Sequence, residues 1–287
     1  MFEPFQYAFL QNALLAGSAV AVVAAVVGYF LILRGLTFAG HALGHIGFAG
    51  AAGAVLLQVD PLYGLLAFTL TAAVGIGLLG QEIRERDITI GIIMMLMLGL
   101  GLLFLSLYAG YAERAYSILF GTILGISQHD VLVTGLFSLL TLGVLGGLWR
   151  PLLFSSVDPE VAKARGVPVR RLRVLFLVLV AITVSVAVQV VGILLIFTLL
   201  VGPPATAVRL ARTPGRALGL AVTLGLAYTW LGILLAANSP WPASFFIAAL
   251  SFGVYLPVRL LALGWARRRP APPALGVKVE SEHPVGS

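Results

Sequence analysis

Two histidines stand four positions apart in FAGHALGHIGFAG, residues 38–50, a stretch without a charged residue. On an α-helix, positions i and i+4 lie one above the other, so His41 and His45 can both reach a single ion. Neutral imidazole is a good ligand for zinc and other first-row divalent metals. Gly40, Gly44 and Gly47 run down the neighbouring stripe, and small residues there let another helix pack closely. The bland alternative is that both imidazoles only hydrogen-bond across that helix seam. Polar groups within an apolar span are costly and need partners, and two on one face favour a metal role. HALGH also has the HxxxH spacing of zinc proteases, but Ala42 stands where their general-base glutamate belongs. An intramembrane metalloprotease is therefore the weakest reading. Two protein ligands hold a metal loosely, which suits a conduit better than a catalyst.

The elements that must position this pair are membrane helices. Of 287 residues, 60% are hydrophobic and 10% charged, with a mean hydropathy of +1.05; soluble domains carry about 25% charged residues. The net charge of +7 fits cytoplasmic loops beside anionic head groups rather than nucleic acid. The absence of cysteine excludes disulfides, thiolate metal ligands and iron–sulfur centres. No Lys or Arg precedes the first apolar run, so that run reads as a span rather than a signal peptide.

A bilayer core of ~30 Å takes about 20 helical residues. Charges and turn residues cut the chain into runs of that length at about 9–33, 36–57, 61–81, 88–109 and 130–149, with a shorter apolar piece around 115–126. Residues 174–208 carry no charge and are long enough for two spans with a turn at QVVG; the last two spans fall at about 217–237 and 243–263. The fold class is therefore all-α, a polytopic bundle of about nine helices (eight to nine). With the N-terminus outside, Arg34, Arg84, Arg86, the 150–173 loop, Arg209, Arg212, Arg216 and Arg267 to Arg269 all become cytoplasmic, and only Arg114 lies outside. That is the positive-inside pattern, N-out and C-in. Residues 1–265 form the membrane domain, and the basic, Pro-rich tail 266–287, including His283, is expected to be disordered and solvated.

No Asp or Glu falls securely within a span: Asp60, Glu82, Asp87, Glu113 and Asp130 all sit at ends or in loops. Ion-coupled carriers usually bury such a carboxylate. The chain also lacks a GxxxxGK[ST] phosphate loop, so energy for uphill transport would come from another protein. In the longest polar loop, SSVDPEVAKARGVPVRR, Ser156 or Asp158 can cap a short helix. Pro159 suits its first position, Glu160 its first turn and Gly166 its end. Ser127 and Asp130 form an S-x-x-D capping box at the outer face, which is favoured over metal capture or gating by His129 and Asp130.

Four stretches in order, LILRGLTFAGHALGHIGFAGA, ILFGTILGISQHD, DPEVAKARGVPVRRL and VVGILLIFTLLVGPPATA, resemble the membrane permease of the manganese/zinc/iron (metal-chelate type, ABC-3) family of ATP-binding-cassette importers. The resemblance runs from about Leu14 to Leu261. It implies a homodimeric permease of the bacterial inner membrane that imports divalent metal without an ATPase site or a permanent cofactor. Two cytoplasmic ABC ATPase subunits would dock on a coupling helix at about 155–168 through Asp158, Pro159, Glu160, Ala164 and Gly166. An extracytoplasmic metal-binding protein would deliver the ion. The family commonly carries Asp four residues before His in its second span, so His41 is the substitution and His45 the expected residue. Paired imidazoles lean toward zinc, with manganese, iron, cobalt and nickel open. The doubled Pro203-Pro204 is expected to end the seventh span early. The alternative function is a stand-alone secondary carrier or channel.

Overall fold

The computed structural model describes residues 8–78, 83–108, 119–121 and 123–267. The charged positions Glu82, Glu113 and Arg114 and the tail beyond Arg267 lie outside the described residues. Eleven α-helices and one 3-10 turn, Ile123–Gly125, are bounded within them, and no strand occurs among them. In chain order they are α1 (Ala8–Leu33), α2 (Thr37–Leu56), α3 (Pro61–Leu78), α4 (Ile83–Ser106), α5 (Gln128–Gly147), α6 (Trp149–Val157), α7 (Pro159–Ala164), α8 (Val169–Val191), α9 (Ile193–Leu210), α10 (Pro214–Ala237) and α11 (Ala243–Arg267). In hydrocarbon a segment must satisfy its own backbone hydrogen bonds, which is why long apolar runs become helices here.

Eight of these helices are long and apolar enough to cross a membrane. The one of comparable length left out is α2, whose two histidines and five glycines lower its hydropathy. Its 20 residues span ~30 Å, and 14 of them are buried, so its neighbours shield the polar content from lipid. It packs chiefly on α3 and α4, and also meets α8 and α9. A second group, α1 with α9, α10 and α11, joins the first through α8. Of the eight, α1 and α8 are the most enclosed, whereas α4, α5 and α11 turn most of their surface outward.

Glycines set the closest helix approaches. At Gly50 a Cβ would collide with the Gly64 carbonyl, so α2 and α3 touch backbone to backbone. Gly35, at φ +60°, terminates α1, and a three-residue reversal leads straight into α2. Gly192, at φ +81°, breaks the 169–210 run into α8 and α9, at the QVVG turn read from the sequence.

Three sequence expectations change. First, the helix expected over 155–168 is two helices. Residues up to Val157 continue α6, Asp158 adopts extended backbone, and α7 covers only Pro159–Ala164. Second, Pro203 and Pro204 lie inside α9, which continues to Leu210. Thr206 Oγ1 donates back to the Gly202 carbonyl at 2.9 Å. The Leu200 carbonyl, which loses its donor to Pro204, is pressed against Gly28 of α1. Third, the fourth helix starts at Ile83, so Arg86 and Asp87 belong to its first turns rather than to the preceding loop.

Candidate functional site

His41 and His45 lie on α2 about one and two turns from its start at Thr37. Their rings are 4.6 Å apart between centroids and nearly perpendicular, at 81°. The Phe197 ring of α9 packs against His41 at 4.5 Å, tilted by 58°, and Ile193 of α9 reaches 3.5 Å from a Cβ built on Gly44. Thus α9 begins alongside the pair and runs antiparallel to α2. Both histidines are half-buried. His45 Nδ1 is buried without a hydrogen-bond partner. An imidazole that only stitched helices together would pair that nitrogen. A free lone pair is what a metal ion requires.

Gly40, Gly44 and Gly47 face three different helices. Gly40 meets Leu31 of α1, Gly44 meets Ile193 of α9, and Gly47 meets Leu65 and Thr69 of α3. The small residues therefore seat α2 in a socket rather than along one seam. Beside Gly47, the Thr69 and Ser185 hydroxyls, both 0% exposed, share a hydrogen bond of 2.7 Å between α3 and α8.

Among the described residues no group of three His, Cys, Asp or Glu side chains could hold a metal. The described carboxylates Asp60, Glu85, Asp87, Asp130, Asp158 and Glu160 all sit in turns or first helical turns. At the Asp60 end, Gln189 Nε2 of α8 donates to Asp60 Oδ1 at 3.4 Å. There Ser127 and Asp130 cap α5 reciprocally: Asp130 N–H donates to Ser127 Oγ at 3.2 Å and Ser127 N–H to Asp130 Oδ2 at 3.0 Å. His129 beside them is exposed.

Backbone contact between two sequence motifs was invisible beforehand. Gly121, at φ +72°, and Gly192 cross so closely that a Cβ on either would overlap the other's backbone. Ile193 follows directly and reaches Gly44, so the crossing lies beside the histidines.

At the opposite end, α7 is built as its residues suggest. Asp158 Oδ1 accepts from Val161 N–H at 3.0 Å, Pro159 holds the first position, and Gly166 at φ +81° closes the turn. Ala162 is buried, while Glu160, Lys163 and Arg165 are exposed. The elbow is tied to the bundle. Trp149 of α6 stacks on Tyr29 of α1 at 6.3 Å and meets Phe30 edge-on at 5.2 Å. Arg34 Nη1 donates to Ser155 Oγ at 3.2 Å.

A multi-pass helical bundle with a shielded histidine helix and a short capped helix at its basic end has the build of a membrane transport protein. The chain belongs to the ABC 3 transport family, whose model matches residues 6–262. It is a multi-pass protein of the bacterial inner membrane. It is 33% identical over 229 residues to "Manganese transport system membrane protein MntC" of Listeria innocua, covering 79% of this chain and 81% of that one. It is 31% identical over 232 residues to "High-affinity zinc uptake system membrane protein ZnuB" of Haemophilus influenzae, covering 80% and 89%. Its fold superposes with a TM-score of 0.80 and 32% identity on a chain of "PsaBC from Streptococcus pneumoniae in complex with Fab", covering 90% of this chain and 96% of that one.

Proposed function

We propose that this chain is the permease of an ATP-driven importer of divalent transition metals, in which His41 and His45 form a transient ligand pair. The buried, unpartnered Nδ1 of His45 beside the His41 ring is the observation that supports this most directly. Relatives named for manganese and for zinc transport support the metal class. Paired imidazoles favour zinc over manganese, because carboxylate and water ligands suit the harder ion. Two protein ligands leave the ion's remaining positions to water or to a second copy of the chain, and the ion departs readily.

In this reading two copies pair in the membrane with the basic end cytoplasmic. Two ATPase subunits contact α7 through Asp158, Pro159, Glu160, Ala164 and Gly166, and an extracytoplasmic metal-binding protein feeds the ion from the Asp60 end. Closure of the ATPases moves α7 and α6. The Trp149–Tyr29 stack and the Arg34–Ser155 bond carry that movement to the α1–α2 reversal, directly below the histidines. The chain performs no covalent chemistry.

The test is uptake of radiolabelled zinc and manganese by the complex reconstituted with its ATPase. His45→Ala is expected to abolish uptake of both metals. His41→Asp is expected to raise manganese uptake relative to zinc. Wild-type rates in both His41→Ala and His45→Ala would overturn the proposal.

A further inference from the structure

At the basic end three arginines from three elements surround one cleft of about 420 Å³. Arg34 comes from the α1–α2 reversal, Arg86 from α4 and Arg173 from α8, while Ser156, Pro159 and Glu160 supply the wall toward α7. Their partners are mostly neutral. Arg34 Nη1 donates to Ser155 Oγ, Arg86 Nη2 to the Gly35 carbonyl at 3.1 Å, and Arg173 Nε to the Gly77 carbonyl at 3.2 Å. Among the described residues the single salt bridge joins Arg86 to Asp87 at 3.3 Å. Glu160 is exposed and bonds none of the three.

Each guanidinium carries five N–H donors, so these partners leave donors on all three arginines without a protein acceptor. The arrangement costs free energy when empty. Arg86 is only 6% exposed. Burial, and secondarily the Arg173 charge, push the Arg34 guanidinium down to about 10. Three like charges held together this way call for an anion with several acceptor oxygens. Arginine forks match phosphate in that respect.

We propose that the cleft bounded by Arg34, Arg86 and Arg173 is a phosphate-binding site, filled by the head group of an anionic lipid or by free phosphate. The cleft lies where spans end, and apolar Leu33, Leu36 and Val169 line it beside the arginines. Basic pockets at the cytoplasmic ends of spans select anionic head groups. Only the assignment to the cytoplasmic leaflet rests on the topology proposed above. A bound phosphate would join the α1–α2 reversal, α4 and α8 to the wall of the elbow, so occupancy would stiffen the link between α7 and the histidine helix. An acidic side chain of the ATPase is disfavoured as occupant, because Glu160 stands in the wall toward α7 and its carboxylate repels one.

The purified full chain is titrated with phosphatidylglycerol, phosphatidylcholine and inorganic phosphate, with native mass spectrometry and thermal unfolding as readouts. Wild type is expected to prefer phosphatidylglycerol over phosphatidylcholine by about tenfold, because both lipids present a phosphodiester but only phosphatidylglycerol does so without a choline cation. Arg173→Gln and Arg34→Lys are expected to lose most of that preference. Lys at position 34 keeps the charge but not the fork, so that variant reports on phosphate geometry if neutral ones misfold. Retention by phosphatidylglycerol alone identifies a lipid site, and arginine-dependent stabilisation by inorganic phosphate identifies a free-anion site. Equal lipid preference in wild type and both variants, with no response to phosphate, would overturn the proposal. So would variants that bind every probe normally and lose only the ATPase. Failure of metal uptake bears on the histidine pair and leaves this test intact.

Discussion

Gly166 and Gly192 share a φ of +81°, yet they should respond very differently to a methyl group. Backbone strain alone costs Ala about 1–2 kcal/mol at an ordinary left-handed position, and about 1–3 kcal/mol at Gly192, whose ψ of 164° lies in a region essentially reserved for glycine. At Gly166 nothing lies within 4 Å of the new Cβ, so Gly166→Ala should lose only about 1–2 kcal/mol. At Gly192 the Cβ would run into Gly121 N, the Phe120 carbonyl carbon and the Leu119 carbonyl oxygen. These are backbone atoms, which cannot rotate away as the end of a flexible side chain would. Overpacking of this kind adds about 1–3 kcal/mol, so Gly192→Ala should lose about 2–6 kcal/mol. The Gly192 backbone is also engaged on both sides: its N–H donates to the Val188 carbonyl at 2.8 Å, and its carbonyl accepts from Ile196 N–H at 3.1 Å. It therefore has little freedom to shift. Unfolding of the two purified variants in lipid nanodiscs measures the difference. Equal stability of Gly166→Ala and Gly192→Ala would refute the claim that the two motifs cross backbone to backbone.

Two further outcomes follow from particular contacts. Thr69→Val strands the buried Ser185 hydroxyl and should cost about 0.6–1.7 kcal/mol, while Ser185→Ala added to it should cost less than the sum of the single changes; a double-mutant unfolding cycle measures this. Asp158→Ala removes the cap of α7, worth about 1 kcal/mol, and hydrogen exchange should speed up at residues 161–164 while the amides of α8 keep their protection.

Much of the architecture was legible because charges and turn residues punctuate apolar runs of membrane length. The Gly192 break, the Asp158–Pro159–Glu160 start of α7 and the Ser127–Asp130 box are local chemistry, and local chemistry can be read along the chain. What escaped was long-range. Asp158 also ends α6, because the apolar face of Trp149–Phe154 binds the elbow to α1, and nothing local announces that partner. Pro203 and Pro204 read as a helix stop because proline removes backbone donors. The close packing of the Leu200 carbonyl against Gly28 keeps lipid away from a group that lost its donor. Phe197 carried no signal, since one phenylalanine in an apolar run looks like any other. Arg34, Arg86 and Arg173 were legible only as markers of sidedness, because three distant segments must fold before they share a cleft.

The shielding of α2 has a consequence for how the protein is made. A helix leaving the insertion machinery partitions into lipid according to its own apolarity, and α2 carries two histidines into the apolar layer. Its histidines and glycines become acceptable only once α3, α4, α8 and α9 enclose them. The shielding of newly made α2 is therefore complete only when the later helices have packed around it. The helix that carries the candidate metal ligands is thus one whose own shielding depends on the completed bundle.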